Sequence, residues 1–182
     1  PRIPGIENHH IFRIGKLTLV GLAVGNSRFN SVEQLATERG LNLSRSERSC
    51  TWYMNDGNRD ARANFVWRYV ERPSSNAEKT VAEYESVLQA SIDQEAVNWV
   101  SCAEDHGYLA MGCDGMRHRG PTVFAMFLAF AGCNPENSVK IANSFWGLNG
   151  VSEKSRLAVA KKGYELGEQR PLSRKRLQAI MQ

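Results

Sequence analysis

The sequence predicts an α/β domain with a central sheet, flanking helices and a helical C-terminal layer. Three observations lead there. Short apolar runs bounded by turn residues concentrate before residue 112. Helical three- and four-residue spacing dominates after it. Between the two regimes an apolar run ends at Cys113 and a Pro-opened apolar stretch follows, which is a strand–loop–helix junction. Taken in order, Phe12–Val24 is apolar with interspersed glycine and closes at Gly25-Asn26, so it reads as one or two strands with a turn. Asn30 or Ser31 is placed to cap a short helix through Arg39, with Gly40 as its stop, and Ser44–Ser49 reads as a loop. Thr51-Trp52-Tyr53-Met54 is a compact strand closed by Asn55-Asp56-Gly57, and Asn64–Val70 is a further strand.

Val81, Tyr84, Val87, Leu88 and Ile92 mark an amphipathic helix beginning near Asn76. After the turn signal Asp105-His106-Gly107, the run Tyr108-Leu109-Ala110-Met111 suits a buried central strand. Pro121 suits the first turn of a helix over Thr122–Ala131, with Gly132 at its end. Three more helical patterns follow, over Pro135–Trp146, from Ser152 to Gly163 or a little beyond, and from Ser173 to the end of the chain.

The chain has 182 residues, 42% hydrophobic and 23% charged, which fits one soluble domain spanning residues 1–182. A domain of that size needs no disulfide or metal to fold. No apolar run reaches the roughly 20 residues that span a bilayer, and Pro1-Arg2-Ile3-Pro4-Gly5 is not a secretion signal. Cys50, Cys102, Cys113 and Cys133 lack a framework spacing, so the sequence predicts four reduced thiols in a cytoplasmic protein. The formal net charge of +4 suits an anionic ligand as well as an ordinary solvated surface.

The segment Cys113-Asp114-Gly115-Met116-Arg117-His118-Arg119-Gly120-Pro121 carries the chemistry. Backbone N–H groups of a tight loop, with the free N–H groups of the following helix, point into one concavity and favour an anion. The same field favours the thiolate of a cysteine at its floor. Arg119 offers a planar fork matched to two phosphate oxygens. Nucleophile, oxyanion cradle and charge clamp converge on one phosphoryl group.

This constellation resembles the cysteine-dependent protein tyrosine phosphatase superfamily, whose signature is Cys-x5-Arg between a strand and a helix. The likeness covers roughly residues 65–165, and the order of helix, strand, loop and helices is most similar to the dual-specificity branch. It implies a hydrolase without a cofactor that acts on a phosphorylated protein or similar monoester. Cys113 would be the nucleophile, Arg119 the phosphate clamp, and the backbone of Asp114, Gly115, Met116, Arg117 and His118 the donors. The general acid would fall at Glu71, in Val70-Glu71-Arg72-Pro73, with Asp56, Asp60 and Asp105 as rivals. Three positions depart from the family pattern. Gly112 stands where relatives carry His, Gly120 where they carry Ser or Thr, and the loop glycine comes two residues after the cysteine rather than three. A hydroxyl at position 120 would help the thiolate leave the phosphoenzyme, unless Thr122 or a water supplies it.

Other readings compete. A module that binds phosphate but turns over poorly keeps the pocket and lacks the hydroxyl. Cys102, His106, Cys113 and His118 offer the ligand types of a zinc site, and His9-His10 is a further pair. Ser173-Arg174-Lys175-Arg176 in the basic C-terminal helix is either a solvated face or a contact for nucleic acid or an acidic membrane surface. No stable nucleic-acid partner is expected. Trp52, Trp67, Trp99 and Trp146 are expected in the core or a cleft wall.

Overall fold

The computed structural model describes residues 10–23, 50–55, 66–94, 98–113, 115–148 and 150–182. The predicted features at Asn30–Gly40 and Ser44–Ser49, together with Asp56, Asp60 and Asp114, lie outside them. The fold is mixed α/β. Its sheet of described strands has the order β1-β2-β5-β3-β4, formed by β1 (His10–Ile14), β2 (Leu17–Ala23), β3 (Thr51–Asn55), β4 (Val66–Tyr69) and β5 (Tyr108–Cys113). β1 and β2 form an antiparallel hairpin whose two-residue turn, Gly15-Lys16, relies on the positive φ of Gly15 at 57°. The apolar segment from Phe12 is therefore two strands.

β5 runs parallel to both β2 and β3, and all six of its residues are buried, as a central strand covered on both faces requires. That pairing explains one departure from the family pattern. Gly112 lies opposite Leu22 of β2, and a Cβ at 112 would run into the Leu22 carbonyl oxygen. A histidine before Cys113 does not fit this backbone.

Six helices follow. α1 (Ala77–Gln89) is capped by the Asn76 side chain, which accepts from the Lys79 N–H at 3.0 Å, and it widens into a π turn over Ala90–Gln94. α2 (Trp99–His106) was not legible as a helix; Asn98 caps it and Gly107, at φ 59°, ends it in the left-handed conformation. Asp105 and His106 are thus its last residues rather than a turn.

α3 (Arg119–Phe130) follows β5 and is buried along its whole length. α4 (Pro135–Trp146), α5 (Glu153–Gln169) and α6 (Pro171–Met181) complete the C-terminal layer. α5 approaches α3 closely because Gly163 faces it: a Cβ there would lie 2.5 Å from the Met126 carbonyl oxygen. No helix among the described residues is long and apolar enough to cross a membrane.

Two sequence expectations are corrected here. Cys50 and Cys102 are joined by a disulfide, with Cα atoms 5.7 Å apart, so these two are not reduced thiols; Cys113 and Cys133 are free. The bond ties the start of β3 to α2, and both cysteines are fully buried. The basic cluster of α6 is partly consumed inside the fold. Arg174 donates to the carbonyls of Phe130 at 2.9 Å, Ala129 at 3.3 Å and Tyr164 at 2.6 Å, while Arg176 pairs with Glu104 of α2.

Candidate active site

Cys113 ends β5, level with Ala23 of β2, and is 2% exposed. Its Sγ accepts the backbone N–H of Gly120 at 3.2 Å. That N–H belongs to the first turn of α3, where helical N–H groups have no intrahelical acceptor. The positive end of the helix dipole is thereby aimed at sulfur. Arg119, the first helical residue, is buried at 7% exposure, whereas the Arg117 side chain is exposed. Cys113 and Arg119 thus stand at the two ends of the junction that the sequence predicts, with Gly115–His118 in the loop between them.

Met116 has φ 51°, uncommon for a residue with a side chain, and that side chain is fully buried. Its thioether fills the space between β2, the start of α3 and the Cys113 sulfur. A Cβ on Gly21 would lie 2.6 Å from Met116 Cε, and one on Gly120 would overlap Met116 Sδ while lying 3.3 Å from Cys113 Sγ. At the second departure from the family pattern, the space that a Cβ on residue 120 would enter holds the Met116 thioether, the movable end of a flexible side chain. Thr122 does not supply the missing hydroxyl, because its Oγ1 donates to the His118 carbonyl at 2.8 Å and accepts from Arg156 Nε at 3.1 Å.

Arg156, on α5, is fully buried beneath the loop. One terminal nitrogen donates to Asn143 Oδ1 at 2.6 Å and to the Gly147 carbonyl at 2.9 Å. The other reaches the carbonyls of Arg117 at 3.4 Å and His118 at 3.5 Å. Burial lowers its pKa to about 10, against the opposing influence of Tyr84 and Cys113. Tyr84 of α1 is also fully buried and donates its hydroxyl to the Glu71 carbonyl at 3.1 Å. Burial pushes the phenol well above its ordinary value; Cys113 adds to the rise, and Arg119 and Arg156 oppose it.

Neither Arg156 nor Tyr84 was singled out for the site from sequence. A signal for Arg156 exists: it lies on the buried face of α5 with Val159, Ala160 and Gly163, where an apolar residue is the norm.

The Glu71 carboxylate lies at the surface, 3.3 Å from Lys79 Nζ, while its backbone carbonyl is what Tyr84 holds. Asp105 is at the opposite end of β5 from Cys113, about 20 Å away for a six-residue strand. The zinc reading fails on the same geometry. Cys102 is spent in the disulfide, His106 lies at that far end, and the described residues contain no cluster of three candidate ligands.

The fold and this junction define a mixed α/β domain with a cysteine and an arginine at the two ends of a strand–loop–helix turn. No family model matches the chain, and no curated protein matches it. Among solved structures it is similar to the Yvh1 phosphatase domain from Chaetomium thermophilum, at 12% identity and a TM-score of 0.40, over 87% of this chain and 97% of that one. A likeness this distant carries no argument about activity.

Proposed function

We propose that the protein hydrolyses phosphate monoesters through a phosphocysteine intermediate. The observation that carries this reading is the bond from the Gly120 N–H, at the start of buried α3, to Cys113 Sγ at 3.2 Å. A thiol at the positive end of a helix, beside a buried arginine, has a nucleophile's surroundings.

In the proposed reaction the Cys113 sulfur attacks phosphorus as the bond to the ester oxygen breaks. Arg119 and the loop N–H groups take up the charge of the transferring phosphoryl oxygens, and an acid protonates the departing oxygen. Water then displaces the thiolate and releases inorganic phosphate. Glu71 fills the acid role only if its carboxylate leaves Lys79 and turns toward the loop.

A second reading has its own support. Residue 120 is glycine, so no hydroxyl reaches the sulfur from that position, and Thr122 is engaged elsewhere. On that reading the chain binds phosphate and turns over poorly.

Steady-state hydrolysis of a small aryl phosphate by wild type and Cys113→Ser tests both. An active wild type, with activity abolished in the serine variant, supports the enzyme. Binding of inorganic phosphate without turnover supports the module, and neither binding nor turnover overturns both readings.

A further inference from the structure

Arg156 is a charged group taken out of water at a cost that only opposite charge or full hydrogen bonding offsets. All five of its hydrogen-bond acceptors are neutral: the Thr122 hydroxyl, the Asn143 amide oxygen and the carbonyls of Gly147, Arg117 and His118. Two of those carbonyls belong to the loop and a third group, Thr122, to the first turn of α3. The cation therefore lies at the positive end of that helix, where the dipole disfavours it. Among the described residues, the groups facing this centre that can carry negative charge are Cys113 from β5 and Tyr84 from α1, with Glu83 acting on Tyr84; Arg119 from α3 is a second cation.

We propose that Arg156 is the positioning cation of the loop. It draws the carbonyls of Arg117 and His118 toward itself, leaving the loop N–H groups to face inward, and it balances the negative charge of the site, thiolate or bound oxyanion. The oxyanion half of this rests on the reading given above, and the thiolate half does not.

The geometry also explains how one residue on α5 influences a loop that is remote in sequence. The guanidinium is a planar fork that serves α3, α4 and the loop at once, which an ammonium cannot do with the same geometry.

The test uses the intact protein and two readouts. Alkylation of Cys113 by iodoacetamide, followed by mass spectrometry across pH, reports the thiolate; calorimetric titration with inorganic phosphate reports the oxyanion. In Arg156→Gln the alkylation profile moves to higher pH, and phosphate affinity falls at least about tenfold, equivalent to losing one charge-assisted contact. Arg156→Lys retains the charge, so its alkylation profile stays near wild type while phosphate affinity falls part of the way.

Should Arg156→Gln fail to fold, Asn143→Ala decides. It removes one acceptor of the guanidinium without touching the loop, and a smaller shift in the same direction is expected. An unchanged alkylation profile in a folded Arg156→Gln, or in Asn143→Ala if that variant must stand in, overturns the inference. A wild type that binds no phosphate while the profile still shifts overturns the phosphatase reading and leaves the role of Arg156 intact.

Discussion

α3 is held at both ends by an arginine from a later helix, and the two arginines are not equivalent. Arg174 meets its C-terminal end, donating to the carbonyls of Phe130 and Ala129 and lying 4.4 Å over the Tyr164 ring. Gln178 adds a bond to the Ala131 carbonyl at 3.1 Å. The C-terminal end of a helix carries negative partial charge, the Arg174 side chain is half-buried, and every contact is favourable. Arg156 makes the same type of bond at the opposite end, fully buried and against the dipole, with its pKa lowered by burial to about 10. One end has an arginine that stabilises the fold; the other has one whose position suits an anion.

The largest expected effect separates these roles. Arg174→Ala should cost about 2–3 kcal/mol for several lost charge-assisted bonds, lowering the melting temperature by about 5–10 °C, with phosphate affinity unchanged. Thermal melts by circular dichroism, paired with calorimetry, check it. If Arg174→Ala weakened phosphate binding as much as Arg156→Gln, the two ends would be doing the same work and the contrast would be broken.

A smaller effect sharpens what happens at the loop end. Gly120→Ser alone should lower turnover, because its Cβ displaces Met116. Combined with Met116→Ala, the hydroxyl has room beside the sulfur, since that Cβ lies 3.3 Å from Sγ. The double variant should then hydrolyse the phosphocysteine about tenfold faster than Met116→Ala alone, the equivalent of one modest hydrogen bond in the transition state. Rapid-quench kinetics on an aryl phosphate measures it, and equal rates in the two variants would show that the Gly120 N–H suffices.

The junction from Tyr108 to Ala131 was legible because both of its signals are local. A continuous apolar run makes a central strand, and a proline near an apolar stretch opens a helix. The helices after it were legible from cap and period, Asn134-Pro135 and Ser152 among them. α2 escaped notice because eight residues give barely two turns of periodicity.

The disulfide was illegible for a different reason. Cys50 and Cys102 are separated by 52 positions, and only the placement of α2 beside the start of β3 brings them together. The glycines at 112 and 120 were read as departures from a pattern. Gly112 answers to the Leu22 carbonyl, remote in sequence, and Gly120 meets the Met116 thioether, four residues earlier on the folded-back loop; spacing reveals neither contact. The loop residues predicted as phosphate donors remain a proposal, with Asp114 outside the described residues.

The smallest effect concerns a third arginine, Arg176, which shows what the same group contributes in solvent. Its hydrogen bond and charge hold the Glu104 carboxyl below its ordinary value of 4.5. A lowered carboxylate pKa means stability that is complete above about pH 4.5 and is lost as pH falls through the folded-state value. The pair is largely exposed and screened, so the loss should be well under about 1 kcal/mol. Urea midpoints at pH 7 and pH 3.5, compared between wild type and Arg176→Ala, check it: the variant should show a slightly smaller drop. A larger acid sensitivity in the variant would mean that the pair contributes through something other than charge.

The sheet order has a consequence for how the protein is made. β5 sits between β2 and β3, yet it is the last of the five described strands to leave the ribosome. Until it arrives, β2 and β3 each present an unpaired edge to a slot that only this strand fills. Cys113 ends that strand, so its sulfur meets the Gly120 N–H only after the sheet has closed around it. Partly made or partly unfolded chains hold a sticky gap where the folded protein holds the Cys113 site, so the site exists only once the middle of the sheet is filled.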